Sequence, residues 1–192
     1  MRHSVLSLGA VLVALAAQQA NAQTPHAMTT PPEASQFDFL VGEWTLDVTS
    51  KVPNAPPRYR GEWYAWKALN GLGIVDEYVN FDDSSRVVYS GTTLRALNPE
   101  SRSWTMRYID QLGGRTGRWS EAVATKVGDE VRVEQRGPLP NGQVSILKIR
   151  YYNISSNHFS WTADLSSDGG TTWLRDYLHI EATRRAVRTS QR

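Results

Sequence analysis

From Trp44 to Thr183 the chain keeps a two-residue period, with apolar and polar residues alternating along short runs that each end at a turn signal. Successive side chains of an extended strand point to opposite faces, so each such run has one apolar and one polar side. Trp44, Leu46 and Val48 alternate with Thr45, Asp47 and Thr49. Trp104, Met106 and Tyr108 alternate with Thr105 and Arg107, and Phe159, Trp161, Ala163 and Leu165 with His158, Ser160, Thr162 and Asp164. Asn70-Gly71, Asn98-Pro99, Gly113-Gly114 and Gly128-Asp129 punctuate the runs. No segment in this span spaces its apolar residues at the helical period. About ten short strands, roughly a dozen residues apart, predict an all-β fold. Connections this short make it antiparallel, because parallel crossovers need more chain. A long meander keeps exposed edges unless it closes on itself, which favours an up-and-down barrel of about 8–10 strands over a sandwich. No internal repeat of fixed period supports a propeller or a solenoid.

The chain opens Met1-Arg2-His3, continues through an apolar stretch from Val5 to Ala17, and reaches the small-x-small site Ala20-Asn21-Ala22. That order predicts a secretory signal peptide over residues 1–22, cut after Ala22, and a periplasmic or secreted protein. The apolar core falls short of the roughly 20 residues a spanning helix needs, so no stable membrane anchor is expected. Residues 23–34, with Pro25, Pro31 and Pro32, read as a flexible leader, 35–184 as the barrel domain and 185–192 as a basic tail. Ser35-Gln36-Phe37-Asp38 has the S-x-x-D spacing of a capped, short helical turn before the first strand. There is no Cys, so the fold rests on its core, for which seven Trp, eight Tyr and four Phe supply the material.

Basicity does not signal nucleic acid here. Setting aside Arg2 and the four arginines Arg184, Arg185, Arg188 and Arg192 leaves 16 basic against 19 acidic residues. The excess of positive charge sits at the C-terminus, where chain ends are commonly solvated. No nucleic-acid motif, phosphate loop or Ser-His-Asp order is present.

Two local motifs stand out. Ser166-Ser167-Asp168-Gly169-Gly170-Thr171-Thr172-Trp173 matches the S-x-D-x-G-x-T-W Asp-box of sialidases at every fixed position. Asp168 is suited to accept backbone N–H groups, Gly169 and Gly170 permit positive φ, and Trp173 packs beneath. One copy on so few strands makes no propeller, so Asp168, Gly170 and Trp173 read as a structural turn. Gly42-Glu43-Trp44 resembles the lipocalin G-x-W signature, which implies that Trp44 closes one barrel end beneath Arg184 or Arg185. With Phe37 to Trp44, Leu72 to Glu77, Thr93-Leu94-Arg95, Asn98-Pro99, Trp104, Tyr108 and Asp110, the chain resembles an uncharacterised bacterial family of lipocalin-like, calycin-type domains. The resemblance implies a lipocalin-like barrel and no activity.

Glu77 shares its face with Val75, Val79 and Phe81. If that face is inward, the carboxylate needs a partner, and Arg95 is a candidate; if it lies at the rim, Glu77 is solvated. Tyr108, Asp110, Trp161 and Tyr177 complete the candidate ligand-binding set, although Arg175, Tyr177 and His179 fit the wet side of the last strand better. No catalytic residue, metal or cofactor is expected, because His158 and His179 lack motif spacing and a carboxylate placed with them as third ligand. Asn153-Ile154-Ser155 is a glycosylation sequon with meaning only in a eukaryotic secretory pathway. The leading expectation is an exported protein binding a small apolar or amphipathic molecule. The alternatives are an enzyme using Glu77, Arg95 and Tyr108 in the same cavity, and a filled barrel acting through its surface.

Overall fold

The computed structural model describes residues 30–53, 55–112, 115–139 and 142–186, with backbone alone at Leu112 and residues 115–118. The expected signal peptide, most of the leader and residues 187–192 lie outside this set. Ten strands follow one another: β1 (Gly42–Ser50), β2 (Arg58–Ala68), β3 (Gly73–Phe81), β4 (Val87–Asn98), β5 (Ser103–Leu112), β6 (Arg115–Val127), β7 (Glu130–Pro138), β8 (Val144–Tyr152), β9 (His158–Ser166) and β10 (Leu174–Arg184). Each pairs antiparallel with its sequence neighbours, and β1 pairs β10 from Trp44↔Arg184 to Ser50↔Leu178. The sheet is a closed up-and-down barrel with no free edge.

One end is shut. Two 3-10 turns, Pro32–Ser35 and Asp38–Leu40, lie across it and bury Ala34, Phe37 and Leu40. The chain is therefore docked from Pro32, earlier than the expected domain start at Ser35. Trp104 Nε1 donates to the Glu33 carbonyl (2.9 Å), and Arg102 pairs with the Glu33 carboxylate. Ser35 does not cap the next turn; its hydroxyl donates back to the Pro32 carbonyl (2.9 Å), because Phe37, not Ser35, precedes the second turn.

The plug meets a floor of aromatic rings. Phe37 stands edge-on to Trp104 (5.3 Å between ring centres), and Trp44 edge-on to Phe159 (4.7 Å). Trp44 Nε1 donates to the Leu40 carbonyl (2.8 Å), and the Arg184 guanidinium lies 4.1 Å from the centre of the Trp44 ring. That cation–π contact contributes about 0.5–2 kcal/mol. Arg184 also donates to the carbonyls of Phe39 (2.9 Å) and Val41 (2.7 Å), which tie the plug to the last strand.

At the opposite end the β9–β10 turn carries Asp168. Its carboxylate accepts the Thr172 hydroxyl (2.6 Å), the Thr172 amide (2.9 Å) and the Thr171 amide (3.0 Å). Gly169 and Gly170 take φ of 73° and 98°, where a Cβ would strain the backbone. Trp173 Nε1 donates to the Gly170 carbonyl (3.0 Å), and Lys148 Nζ lies 4.3 Å from the Trp173 ring centre. This end has no helical plug among the described residues.

Candidate functional site

The site is built on the inner faces of β2 to β5. In β3 the even positions Ile74, Asp76, Tyr78 and Asn80 point inward, since Trp63 of β2 pairs with Tyr78 and Thr93 of β4 pairs with Asp76. Glu77 is therefore on the outer wall and exposed. The inward carboxylate is Asp76, one residue earlier. Val75 and Leu94 are cross-strand neighbours on the outside, next to Trp66, so the apolar character of the odd face had a different origin. A one-residue change in phase exchanges every side chain between faces.

Asp76 and Arg95 form a buried ion pair, with 1 % and 2 % of their surfaces exposed. Trp63 Nε1 donates to Asp76 Oδ1 (2.7 Å), Arg95 Nη2 donates to Tyr151 Oη (3.2 Å), and the guanidinium lies 5.3 Å from the Phe37 ring centre. Burial pulls the Arg95 pKa below its ordinary value, and the Tyr151 hydroxyl opposes that shift. The pair sits above the aromatic floor, between it and the tyrosines nearer the opposite end.

Toward the end opposite the plug the inner wall changes character. Tyr59, Tyr78, Tyr89 and Tyr108 replace the indoles, and small residues lie between them. Tyr108 lies directly over Gly91, whose missing side chain makes room for the phenol. Asn80 lies over Gly61 and Ser120 over Gly137 in the same way. Tyr89 and Tyr108 share a hydrogen bond between their hydroxyls, and Tyr89 Oη donates on to Asp110 Oδ2 (3.4 Å). The Tyr78 and Tyr89 rings meet edge-on at 5.9 Å. Burial raises the Tyr78 and Tyr108 pKa values well above that of a free phenol, and those of Tyr59 and Tyr177 by less, so all four stay neutral at physiological pH. Tyr59, Tyr78 and Asn80 form a buried polar cluster within hydrogen-bonding range of one another, in which neither Tyr78 Oη nor Asn80 Oδ1 makes a well-aligned bond.

Of the residues singled out in the sequence, Tyr108 and Asp110 come together through Tyr89, and Tyr177 lies half-buried near the start of β10. Trp161 is on the inner wall, cross-strand from Tyr151 and Ile180. Arg95 is deeper, and Glu77 is outside, so Glu77, Arg95 and Tyr108 do not form one constellation. Asp76, Tyr78, Asn80, Tyr59 and Tyr89 were missed. Their signal was the phase of the neighbours: Trp63 on β2 and Thr93, Arg95 and Leu97 on β4 are unambiguous, and they oblige β3 to present its even face.

Elsewhere, Glu181 stands between two imidazoles on the outer wall. His179 Nε2 lies 2.8 Å from its Oε1 and His158 Nε2 3.1 Å from its Oε2, so a carboxylate does accompany the two histidines, contrary to expectation. Adjacent strands β9 and β10 bring them together. Among the described residues no three His, Asp or Glu side chains converge as a metal ion would require. A cleft of about 500 Å³ lies against Thr45, Arg60 and Glu62 beside the Asp82–Ser85 turn, and another of about 190 Å³ adjoins Asp47 and Arg58. Both open on the outer surfaces of β1 and β2.

No protein-family model matches the chain, and no curated protein does. Among solved structures it is similar to the protein of "Crystal Structure of Rv2717c from M. tuberculosis", with a TM-score of 0.57 and 14% sequence identity. That similarity covers 82% of this chain and 100% of the other. At such identity the likeness concerns the barrel alone.

Proposed function

We propose that this protein binds a small apolar or amphipathic molecule at the end of its barrel opposite the plug, against Tyr78, Asn80, Tyr89 and Tyr108. The observation that carries the reading is the buried polar cluster of Tyr59, Tyr78 and Asn80, set in a wall lined with tyrosines and glycines. A ligand hydroxyl or amide bonds this cluster in the proposal, while the aromatic faces take its apolar part. The closed half, filled by Phe37, Trp44, Trp104 and Phe159, serves as the floor. In this reading residues 1–22 direct the chain out of the cytoplasm. The enzymatic alternative loses its carboxylate, since Glu77 faces outward.

Native mass spectrometry of the exported chain tests the proposal, followed by denaturation and identification of what is released. A reproducible bound molecule is expected, held about three- to tenfold less tightly by Tyr78→Phe, as the loss of one neutral hydrogen bond implies. A clean apo mass, with no thermal shift across a panel of lipids and metabolites, overturns it.

A second reading is favoured by two outer-wall residues. Trp66 and Trp119 are 49% and 54% exposed, more than an indole ordinarily shows to water. A surface-acting protein would keep both free for a partner and would give the apo result above.

A further inference from the structure

The water-facing side of an antiparallel sheet ordinarily alternates with its core and is polar. At the plugged end, β2, β3 and β4 break that rule over six adjoining outward positions. Trp66 pairs with Val75 and Val75 with Leu94; one step nearer the plug, Ala68 pairs with Gly73 and Gly73 with Ala96. No polar side chain interrupts the block. Trp66 and Leu94 are 49% and 44% exposed. Val123, comparably exposed, is a different case, since it stands between Thr105 and Glu134.

The turn between β2 and β3 adds Leu69 to the block from a strained backbone. Leu69, Asn70 and Gly71 take φ of 50°, 52° and 87°. Asparagine and glycine visit that left-handed region readily; leucine does not. The Leu72 amide donates to the Leu69 carbonyl (3.1 Å), and the Leu97 amide of β4 to the Leu72 carbonyl (2.8 Å), which fixes the turn against the sheet. The Leu69 side chain is laid on Gly73, where a Cβ would meet it, and stays 58% exposed. A strained residue that keeps an apolar side chain in water, beside an apolar block, points to something that covers both.

We propose that this block is a lipid-docking surface, through which the plugged end of the barrel rests reversibly on a bilayer. The chain preceding the barrel joins at this same end, where Glu33 pairs with Arg102, and Asp38 with Lys67, the neighbour of Trp66. The apolar run Val5 to Ala17, which engages the bilayer in the export reading, therefore leads to the end that carries the block. The cations at its edge, Lys67 and Arg107, are each paired with an acid, Asp38 and Glu121, so nothing there selects a charged partner. Three half-exposed side chains on a convex wall offer on the order of a few hundred Å², against the roughly 800 Å² that each partner gives to a standard protein interface. An indole beside two leucines is instead a composition that settles at the boundary of headgroups and acyl chains. The block is on the outer wall, so the inference stands apart from the ligand-binding reading.

Flotation of the mature chain with phosphatidylcholine vesicles tests it, with light scattering of the same samples to report oligomeric state. Binding is expected, and equal at low and high salt, because apolar contact rather than charge drives it. Leu69→Asn suits the left-handed backbone and so keeps the turn. It should lower the partition coefficient about tenfold, as the loss of one apolar side chain from the contact implies, and Trp66→Ser should do the same. Val123→Asn, outside the block, should bind as wild type does. Absence of flotation overturns the proposal, as does flotation on anionic vesicles alone that high salt abolishes. Undiminished binding by folded Leu69→Asn and Trp66→Ser overturns it too. A wild-type dimer that Leu69→Asn makes monomeric, without flotation, gives the block to a second copy of the chain and removes the lipid role.

Discussion

Asp76 and Arg95 form an ion pair diagonally across β3 and β4, inside the barrel, while the next acidic residue, Glu77, stands on the outer wall. The strand register places Asp76 opposite Thr93 and Ile74 opposite Arg95, so the two charges are diagonal neighbours within reach of a long side chain.

Removing one partner leaves a buried charge alone. Asp76→Ala is expected to destabilise the fold by about 3–5 kcal/mol in urea unfolding, and the double variant Asp76→Leu, Arg95→Met to recover most of that loss. Glu77→Ala, at an exposed position, should stay within about 0.5 kcal/mol of wild type. Equal effects of Asp76→Ala and Glu77→Ala would show that the pair is not in the core.

Gly91 gives up its side chain to Tyr108. A Cβ there would overlap the phenol ring and hydroxyl. Gly91→Ala should cost about 1–3 kcal/mol through overpacking. Tyr108→Val in the same chain should relieve the clash, giving a clear coupling energy in a double-mutant cycle. Additive effects would mean that the ring does not lie over Gly91.

Tyr78 and Tyr108 have folded-state pKa values raised by burial, well above that of an exposed phenol. A raised folded value means that their stabilising contribution is complete below the unfolded pKa of about 10 and is lost as pH rises through the folded value. An ultraviolet titration of the eight tyrosines, none of which is exposed, should therefore show a late group that ionises together with loss of near-ultraviolet dichroism. A single early wave that leaves the fold intact would contradict the buried placement.

Asp168 responds at the other extreme. Hydrogen bonds from the Thr172 hydroxyl and amide, and then from the Ser166 hydroxyl, hold its carboxyl far below the ordinary carboxylate range. The folded value is lowered, so the stabilisation is present above the unfolded value of about 4 and is lost as pH falls through the folded one. The difference in unfolding midpoint between wild type and Asp168→Asn should be constant near neutrality and shrink in acid. A difference that is the same at every pH would show that the ionised carboxylate does not hold the turn.

What the sequence determined by itself is everything that depends on neighbours along the chain. The pleat imposes a period of two, short turns impose antiparallel pairing, and a long meander closes on itself; all of this was legible from Trp44 to Thr183. The chemistry of the Asp168 turn is local for the same reason, since its donors Thr171 and Thr172 lie within four residues. What only the tertiary structure decided is which face of a strand is inside when both faces carry apolar residues. β3 offers Ile74 and Tyr78 on one side and Val75, Val79 and Phe81 on the other. Its phase is set by pairing to β2 and β4, which a single strand does not contain. The same holds for the irregularity at Asp176, which Asp164 and Lys51 grip from neighbouring strands, and for Glu181, which meets His158 only because β9 and β10 are adjacent. Pattern along a chain encodes alternation; the choice between its two phases is a property of the closed sheet.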